Sequence, residues 1–329
     1  MRLPPQQSRL ADGRLHLHDG PIDLIIAAFG EPGAVETAYV AAWRRFANVL
    51  DELCAELVLL RSQAEIPGNV RPSGLVARRM TDAVAPLCAD RFITPMAAVA
   101  GAVADEILYA MTTAAALRRA YVNNGGDIAL HLSADESFAI GMVDRPDRPS
   151  LIGSATISAH DAVRGVATSG WRGRSFSRGI ADAVTVLAGS AAQADAAATL
   201  IANAVDLPDH PAIGRTPAIS RDPQSDLGER LVTVDVGPLT PSDVDAALTA
   251  GLEEAERLRR SGALTAAALR LRGQTLLCGI GGASRIGHPV AGCSGKSVRP
   301  VHFALSNGRR DPGVGRLDAM AIHALDGFR

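Results

Sequence analysis

The chain holds a single lysine, Lys296, so its positive charge is carried almost wholly by arginine. Schiff-base or general-base chemistry by lysine would fall to one residue in a glycine-rich segment poorly suited to bury it, which argues against that class. Cysteine is sparse as well: Cys54, Cys88, Cys278 and Cys293 stand far apart and make no C-x-x-C pair. Neither a zinc knuckle nor a disulfide framework is indicated, and the spacing reads as reduced, buried thiols. Charge of one sign is not in excess, with 33 basic residues against 35 acidic and a net charge of -2. A nucleic-acid binder draws its affinity from neutralising phosphates, so none is expected here. No apolar core of signal-peptide length follows Met1, and the longest apolar stretch, Pro95 to Leu117, is interrupted by Asp105 and Glu106. The expectation is a soluble, cytoplasmic protein with no membrane partner. Nucleophile-elbow and Walker-type loops are missing too, which removes the serine-hydrolase and P-loop classes.

What the chain has is apolar bulk: 47% of 329 residues, enough to fill a core in one large or two modest domains. Arg14 to His18, the turn signal Asp19-Gly20 and the run Pro21 to Ala28 predict a β-hairpin. Apolar spacing predicts helices over Ala34 to Arg61 and Leu75 to Ala89, and over Pro95 to about Ala120 with Thr94 as N-cap. Short strand-like runs follow at Tyr121 to Leu132, Glu136 to Val143, Leu151 to Ser158, Val163 to Ala167 and Ala181 to Ala188, and tight connections favour an antiparallel sheet. A helix is predicted from Ser190, whose spacing to Gln193 suits a capping box, to Val205. Leu231 to Val236 reads as a strand, Pro241 to Ser261 as a helix capped by Thr240, and Leu264 to Ile280 as one or two closing strands. Residues 281–329 carry nine glycines, seven basic and three acidic residues and little apolar periodicity. They are expected to form a mobile Gly/Arg-rich tail behind a domain of residues 1–280, with short elements at Val301 to Leu305 and Leu317 to Leu325 as the alternative.

Three constellations bear on chemistry. In Asn123-Asn124-Gly125-Gly126-Asp127 two glycines let backbone approach a ligand while Asp127 takes a fixed place; an ordinary Asn-Gly turn is the other reading. In Thr168-Ser169-Gly170 and the loop after it, hydroxyls, glycines and Arg172, Arg174 and Arg178 suit an anion such as a pyrophosphate, or form a solvated basic loop. Asp195 and Thr199 share one helix face and offer oxygen ligands of the kind magnesium takes; alternatively Asp195 only complements the positive end of its helix.

Taken in order, these segments make the sequence resemble the ApbE-like superfamily, whose founding members are FAD:protein FMN transferases, and more closely its UPF0280 branch. The resemblance runs from about Arg14 to Gly279. It is carried by Gly20-Pro21-Ile22-Asp23-Leu24, the run Thr94 to Asp105, Asn123-Asn124-Gly125-Gly126-Asp127-Ile128, Ala167-Thr168-Ser169-Gly170, the run Gly179 to Val186, and Ala194-Asp195 with Thr199. It implies an α+β, ApbE-like fold in which an antiparallel sheet is flanked by helices. It also implies a flavin-nucleotide cleft lined by Asn124, Gly125, Gly126, Asp127, Thr168, Ser169, Gly170, Arg172 and Arg174. Mg2+ would be held there by Asp195, Thr199 and the carbonyl of Val99. The implied reaction is magnesium-dependent transfer or hydrolysis at the FAD pyrophosphate, with a target flavoprotein as partner.

Two departures from the transferase pattern stand out. Where the transferases carry a lysine before the glycine of Val99-Ala100-Gly101, this chain has Ala100, and after Thr-Ser-Gly it has Arg174-Ser175-Phe176-Ser177-Arg178-Gly179 in place of a His-Ile-Ile-Asp-Pro-like block. A non-catalytic flavin or nucleotide binder, and a divergent enzyme acting on another phosphorylated or heterocyclic substrate, are therefore carried as alternatives. His16 and His18 share a strand face without an evident third ligand, and His131 reads either as an acid or base near the cleft or as a packed strand histidine.

Overall fold

The computed structural model describes residues 2–65, 71–144 and 151–279, together with the backbone at 284–285 and 302–305. Strands β1 (Gln6–Arg9), β2 (Leu15–Asp19) and β3 (Ile22–Phe29) lead into helices α1 (Pro32–Phe46), α2 (Val49–Ala55), α3 (Leu57–Leu60) and α4 (Leu75–Val84). A 3-10 turn at Pro95–Ala98 opens α5 (Val99–Ala114). Next come β4 (Arg119–Asn124), β5 (Asp127–Leu132), β6 (Ser137–Val143), β7 (Leu151–Ser158), β8 (Gly165–Ser169), β9 (Ala183–Ala188) and α6 (Ala191–Ala204). The described chain closes with β10 (Ile213–Pro217), α7 (Ala218–Arg221), β11 (Leu231–Val236), α8 (Pro241–Arg260), β12 (Ala266–Leu271) and β13 (Gln274–Cys278).

The architecture is α+β. One antiparallel sheet runs β1-β2-β3-β4-β5-β8-β9-β12-β13, with Ser284–Arg285 as a tenth strand at its edge. Strands β6 and β7, extended by His302–Leu305, form a second sheet, and β10–β11 a separate ribbon. Alternation along the strands separates two cores. Ala120 and Val122 of β4 and Val184 and Val186 of β9 face the helices, whereas Tyr121, Ile128, Leu130 and Leu187 face the cluster formed with Phe138, Ile140 and Ile157 of the small sheet. No helix among the described residues is long and apolar enough to cross a membrane.

Several boundaries differ from the sequence reading. The run 34–61 is broken into α1, α2 and α3, with Asn48, a residue that favours caps over helix interiors, at the first break. At the second break Glu56 turns its carboxylate away to accept from the Ser73 and Gly74 amides at 2.8 and 2.7 Å, which fixes the start of α4. Thr94 does not cap α5 through its side chain, because its hydroxyl donates to Asp226 instead. Residues 121–132 are two strands meeting in a turn, β1 and β10 escaped the pattern reading, and Cys54 is exposed whereas Cys88 and Cys278 are buried. Burial, with Glu256 beside it, pushes the Cys278 thiol up to about 12, so it stays an unreactive thiol. Cys293 and most of 281–329 lie outside the described residues.

Helices α5 and α6 are alanine-rich because their backbones nearly touch. A Cβ on Gly101 would stand 2.2 Å from the Ala191 carbonyl oxygen, and one on Gly165 would stand 2.0 Å from the Ser190 carbonyl. Ser190 caps α6 by accepting from the Gln193 amide at 3.3 Å, as its spacing predicts. Gly101→Ala should therefore destabilise the fold by about 1–3 kcal/mol through overpacking against backbone. Gly33→Ala, whose added Cβ meets nothing within 4 Å, should leave the urea midpoint unchanged or raise it slightly. Equal midpoints for the two variants would contradict the close approach.

Candidate functional site

The turn between β4 and β5 is Asn124-Gly125-Gly126-Asp127, with Asn124 paired to Asp127 and the two glycines at φ of 65° and 115°. Side chains disfavour that left-handed backbone, and the Gly126 amide is taken by Asn123 Oδ1 at 2.8 Å. Asn124, buried, donates through Nδ2 to the Ala100 carbonyl at 3.1 Å, tying the turn to the first residues of α5. Asp127 Oδ1 accepts from the Thr168 amide at 3.3 Å, which ties the turn to the end of β8. The Thr168 hydroxyl meets that of Thr185 at 3.0 Å, Ser169 pairs with Val184 of β9, and Gly170 lies so close to the Asp182 carbonyl that a Cβ would stand 2.5 Å away.

The third wall is α6. Asp195 Oδ2 accepts from the Gly101 amide at 3.1 Å, so the carboxylate sits against the unsatisfied amides at the start of α5, where Val99 is the first residue. Thr199 follows one turn along α6, and both side chains are half-buried. Asp195 does not serve the start of its own helix. That task belongs to Asp105 of α5, whose two oxygens accept from the Ala191 and Ala192 amides at 3.0 and 2.9 Å. Asp105 lies inside the resemblance run Thr94 to Asp105, but its helix position alone gave no sign of this role.

Two carboxylates thus share one site. Burial chiefly, opposed by the Thr168 amide and the Arg174 charge, pushes Asp127 up to about 7. Asp195 is driven well above the usual carboxylate range by burial first and the Asp127 charge next, against the pull of the Gly101 and Ala100 amides. Arg174 reaches over the turn: its Nη2 would be 1.9 Å from a Cβ on Gly125. Arg172 places its guanidinium 4.0 Å above the Trp171 ring. The structure therefore brings together Asn124, Gly125, Gly126, Asp127, Thr168, Ser169, Gly170 and Arg174 around the turn, with Asp195 beside Asp127 and the Gly101 amide; Val99 lies two residues before Gly101 and Thr199 one turn beyond Asp195.

Arg178 does not join them. Its amide is held by Asn203, eight residues beyond Asp195 on α6, about 12 Å at 1.5 Å per residue. His131 is committed elsewhere, Nε2 donating to the Leu117 carbonyl at 3.1 Å, so the packed-histidine reading holds. His16 and His18 both meet Asp23, at 3.1 and 3.2 Å, on the outer face of β2–β3. No group of three or more His, Cys, Asp or Glu side chains among the described residues is arranged to hold a metal ion.

A carboxyl raised from about 3.9 when unfolded to about 7 when folded stabilises fully only below the lower value and loses that contribution as pH rises through the higher one. In EDTA the melting temperature should therefore fall between pH 5 and pH 8, and Asp127→Asn should flatten the fall. A slope unchanged by Asp127→Asn would show that this carboxyl is not the group responsible.

The chain matches the family described as AbpE bacteria over residues 7–277. It is 37% identical to a UPF0280 protein of Methanopyrus kandleri over 161 residues, covering 48% of this chain and 61% of that relative. It is 39% identical to a UPF0280 protein of Methanosarcina acetivorans over 116 residues, covering 35% of this chain and 44% of that one. Among solved structures, the apo form of the Pseudomonas stutzeri flavinyl transferase ApbE aligns with a TM-score of 0.37 at 12% identity, over 83% of this chain and 93% of that one. The flavin transferase ApbE from Vibrio cholerae aligns with a TM-score of 0.27 at 14% identity, over 60% and 87%. With 271 consecutive positions inside the family match, the chain belongs to the AbpE bacteria family.

Proposed function

We propose that the cleft between the Gly125-Gly126 turn, the end of β8 and the start of α5 binds the nucleotide portion of FAD beside Asp127 and Asp195, for magnesium-dependent transfer or hydrolysis at the pyrophosphate. The observation that carries this reading is the set of bonds joining three segments far apart in sequence: Asn124 to Ala100, Asp127 to Thr168 and Asp195 to Gly101. The missing side chain at Gly125 makes room for the Arg174 guanidinium, which offers positive charge over the turn toward phosphate oxygens.

The donor set suits magnesium. Two neighbouring carboxylates repel one another, Thr199 follows Asp195 by one turn of α6, and Val99 opens α5 two residues before the Gly101 amide that Asp195 accepts from, so hard oxygen ligands are at hand on both helices. Asp195, Thr199 and Val99 would hold the ion, which when bound neutralises charge developing on the pyrophosphate. Asp127, fixed by the Thr168 amide, orients the turn; Ser169 presents its hydroxyl on the helix side of the sheet to the nucleotide, whereas the Thr168 hydroxyl lies on the opposite face with Thr185. In transfer, an acceptor hydroxyl oxygen bonds to the FMN-side phosphorus, the bond to the bridging oxygen breaks, AMP leaves, and the hydroxyl proton passes to solvent or a nearby base. A target flavoprotein would supply that hydroxyl.

A second reading, a flavin binder without transfer, is favoured by Ala100 and by the segment Arg174 to Gly179, which lacks histidine. Transfer needs in-line placement of the acceptor as well as the metal. FAD binding, followed by flavin fluorescence, should persist with magnesium and weaken both in excess EDTA and in Asp195→Asn; binding indifferent to both would remove the metal role. With FAD, magnesium and a target flavoprotein, covalent FMN transfer should be slow or absent by in-gel fluorescence. Rapid labelling would instead establish catalysis.

A further inference from the structure

The loop leaving β8 contains two nitrogen donors that the fold does not use. Trp171 Nε1 and Arg172 Nε are both buried, and neither has a hydrogen-bond partner. A buried donor left without an acceptor keeps its full desolvation penalty, so two in consecutive residues stand apart from ordinary scatter. The backbone around them is well anchored: the Trp171 amide donates to the Ala181 carbonyl at 3.0 Å and the Gly173 amide to the Gly170 carbonyl at 3.0 Å. The guanidinium of Arg172 rests 4.0 Å above the Trp171 ring, a stack that holds both side chains in one place without giving either N–H an acceptor.

Position sets the ligand class. Gly170 precedes the pair directly, Arg174 follows two residues later and reaches Gly125, and so the loop spans from the end of β8 to the β4–β5 turn. One donor is a neutral indole N–H and the other belongs to a permanent cation, which calls for an anionic acceptor. Arg174, two residues on, adds a second permanent cation to the loop, which favours a multiply charged phosphoryl group over a singly charged carboxylate.

We propose that Trp171 Nε1–H and Arg172 Nε–H form a subsite for a phosphoryl group, entered when the Arg172 head shifts on the indole to admit it. The proposal rests on the nucleotide reading of the cleft only for the source of that phosphoryl group; the donor chemistry stands without it.

The sequence contains two tryptophans, Trp43 and Trp171, so a Trp43→Phe background leaves Trp171 as the sole indole reporter. In that background, titration of the full chain with inorganic pyrophosphate should change indole emission to saturation. Arg172→Gln should weaken the apparent affinity about tenfold or more, and Arg172→Lys nearly as much, because lysine keeps the charge and loses the Nε fork. With pyrophosphate binding read by calorimetry, Trp171→Phe, which keeps an aromatic ring and loses the N–H, should weaken it about fivefold. Thermal melts of each variant separate lost binding from lost folding. Full rescue by Arg172→Lys, or calorimetric binding that ignores Trp171→Phe, would overturn the subsite, as would no response to pyrophosphate in the parent. ADP and FAD serve as separate arms. Pyrophosphate and ADP binding without FAD binding would keep the subsite and remove the flavin reading, whereas FAD binding untouched by the Arg172 and Trp171 variants would do the reverse.

Discussion

Helices α5 and α6 exchange carboxylates. Asp105 on α5 takes the first two amides of α6, and Asp195 on α6 takes the Gly101 amide at the start of α5. Each helix start has amides without an intrahelical partner, and each is served by an acid from the other helix. That reciprocity demands the near-contact of Gly101 with Ala191, which in turn demands the small residues lining α6. The turn and the end of β8 are then placed by bonds to this helix pair and to each other, so the candidate site is a by-product of how two helix starts satisfy one another.

The arrangement also carries a cost. Asp105 and Asp127 both push Asp195 upward, and burial does more than either. Three acids converge from α5, β5 and α6 where packing alone would have preferred neutral side chains. Sites of this kind trade stability for charge held in a set place, and the surrounding bonds to Thr168 and Gly101 keep the carboxylates from moving apart.

Much of the fold was legible in the sequence because its signals are local. The Asp19-Gly20 turn, the Ser190 cap, the run Leu231 to Val236 and the helix behind Thr240 follow from residues within a few positions of each other. The breaks in the 34–61 helix were not legible, since Glu56 leaves its helix to serve amides seventeen and eighteen residues away. In the site, Asp127, Thr168 and Asp195 could be singled out by residue type and order. What could not be read was which acid caps which helix: Asp195 has the composition of a helix-start anion, and only tertiary contact reveals that Asp105 holds that post. Trp171 escaped notice for a similar reason, because an unpaired indole N–H is a property of surroundings rather than of sequence.

The bonds between the two helix starts join residues 86 to 94 positions apart. During synthesis the α5 amides emerge long before their acceptor exists, and β3 must wait about a hundred residues for β4 at the register Leu24 to Asn124. At roughly 5–20 residues per second that interval lasts several seconds or more, with apolar faces of the first strands and helices still uncovered. The amino-terminal third thus keeps those faces uncovered until α6 has left the exit tunnel, a vulnerability built into the same long-range exchange that shapes the candidate site.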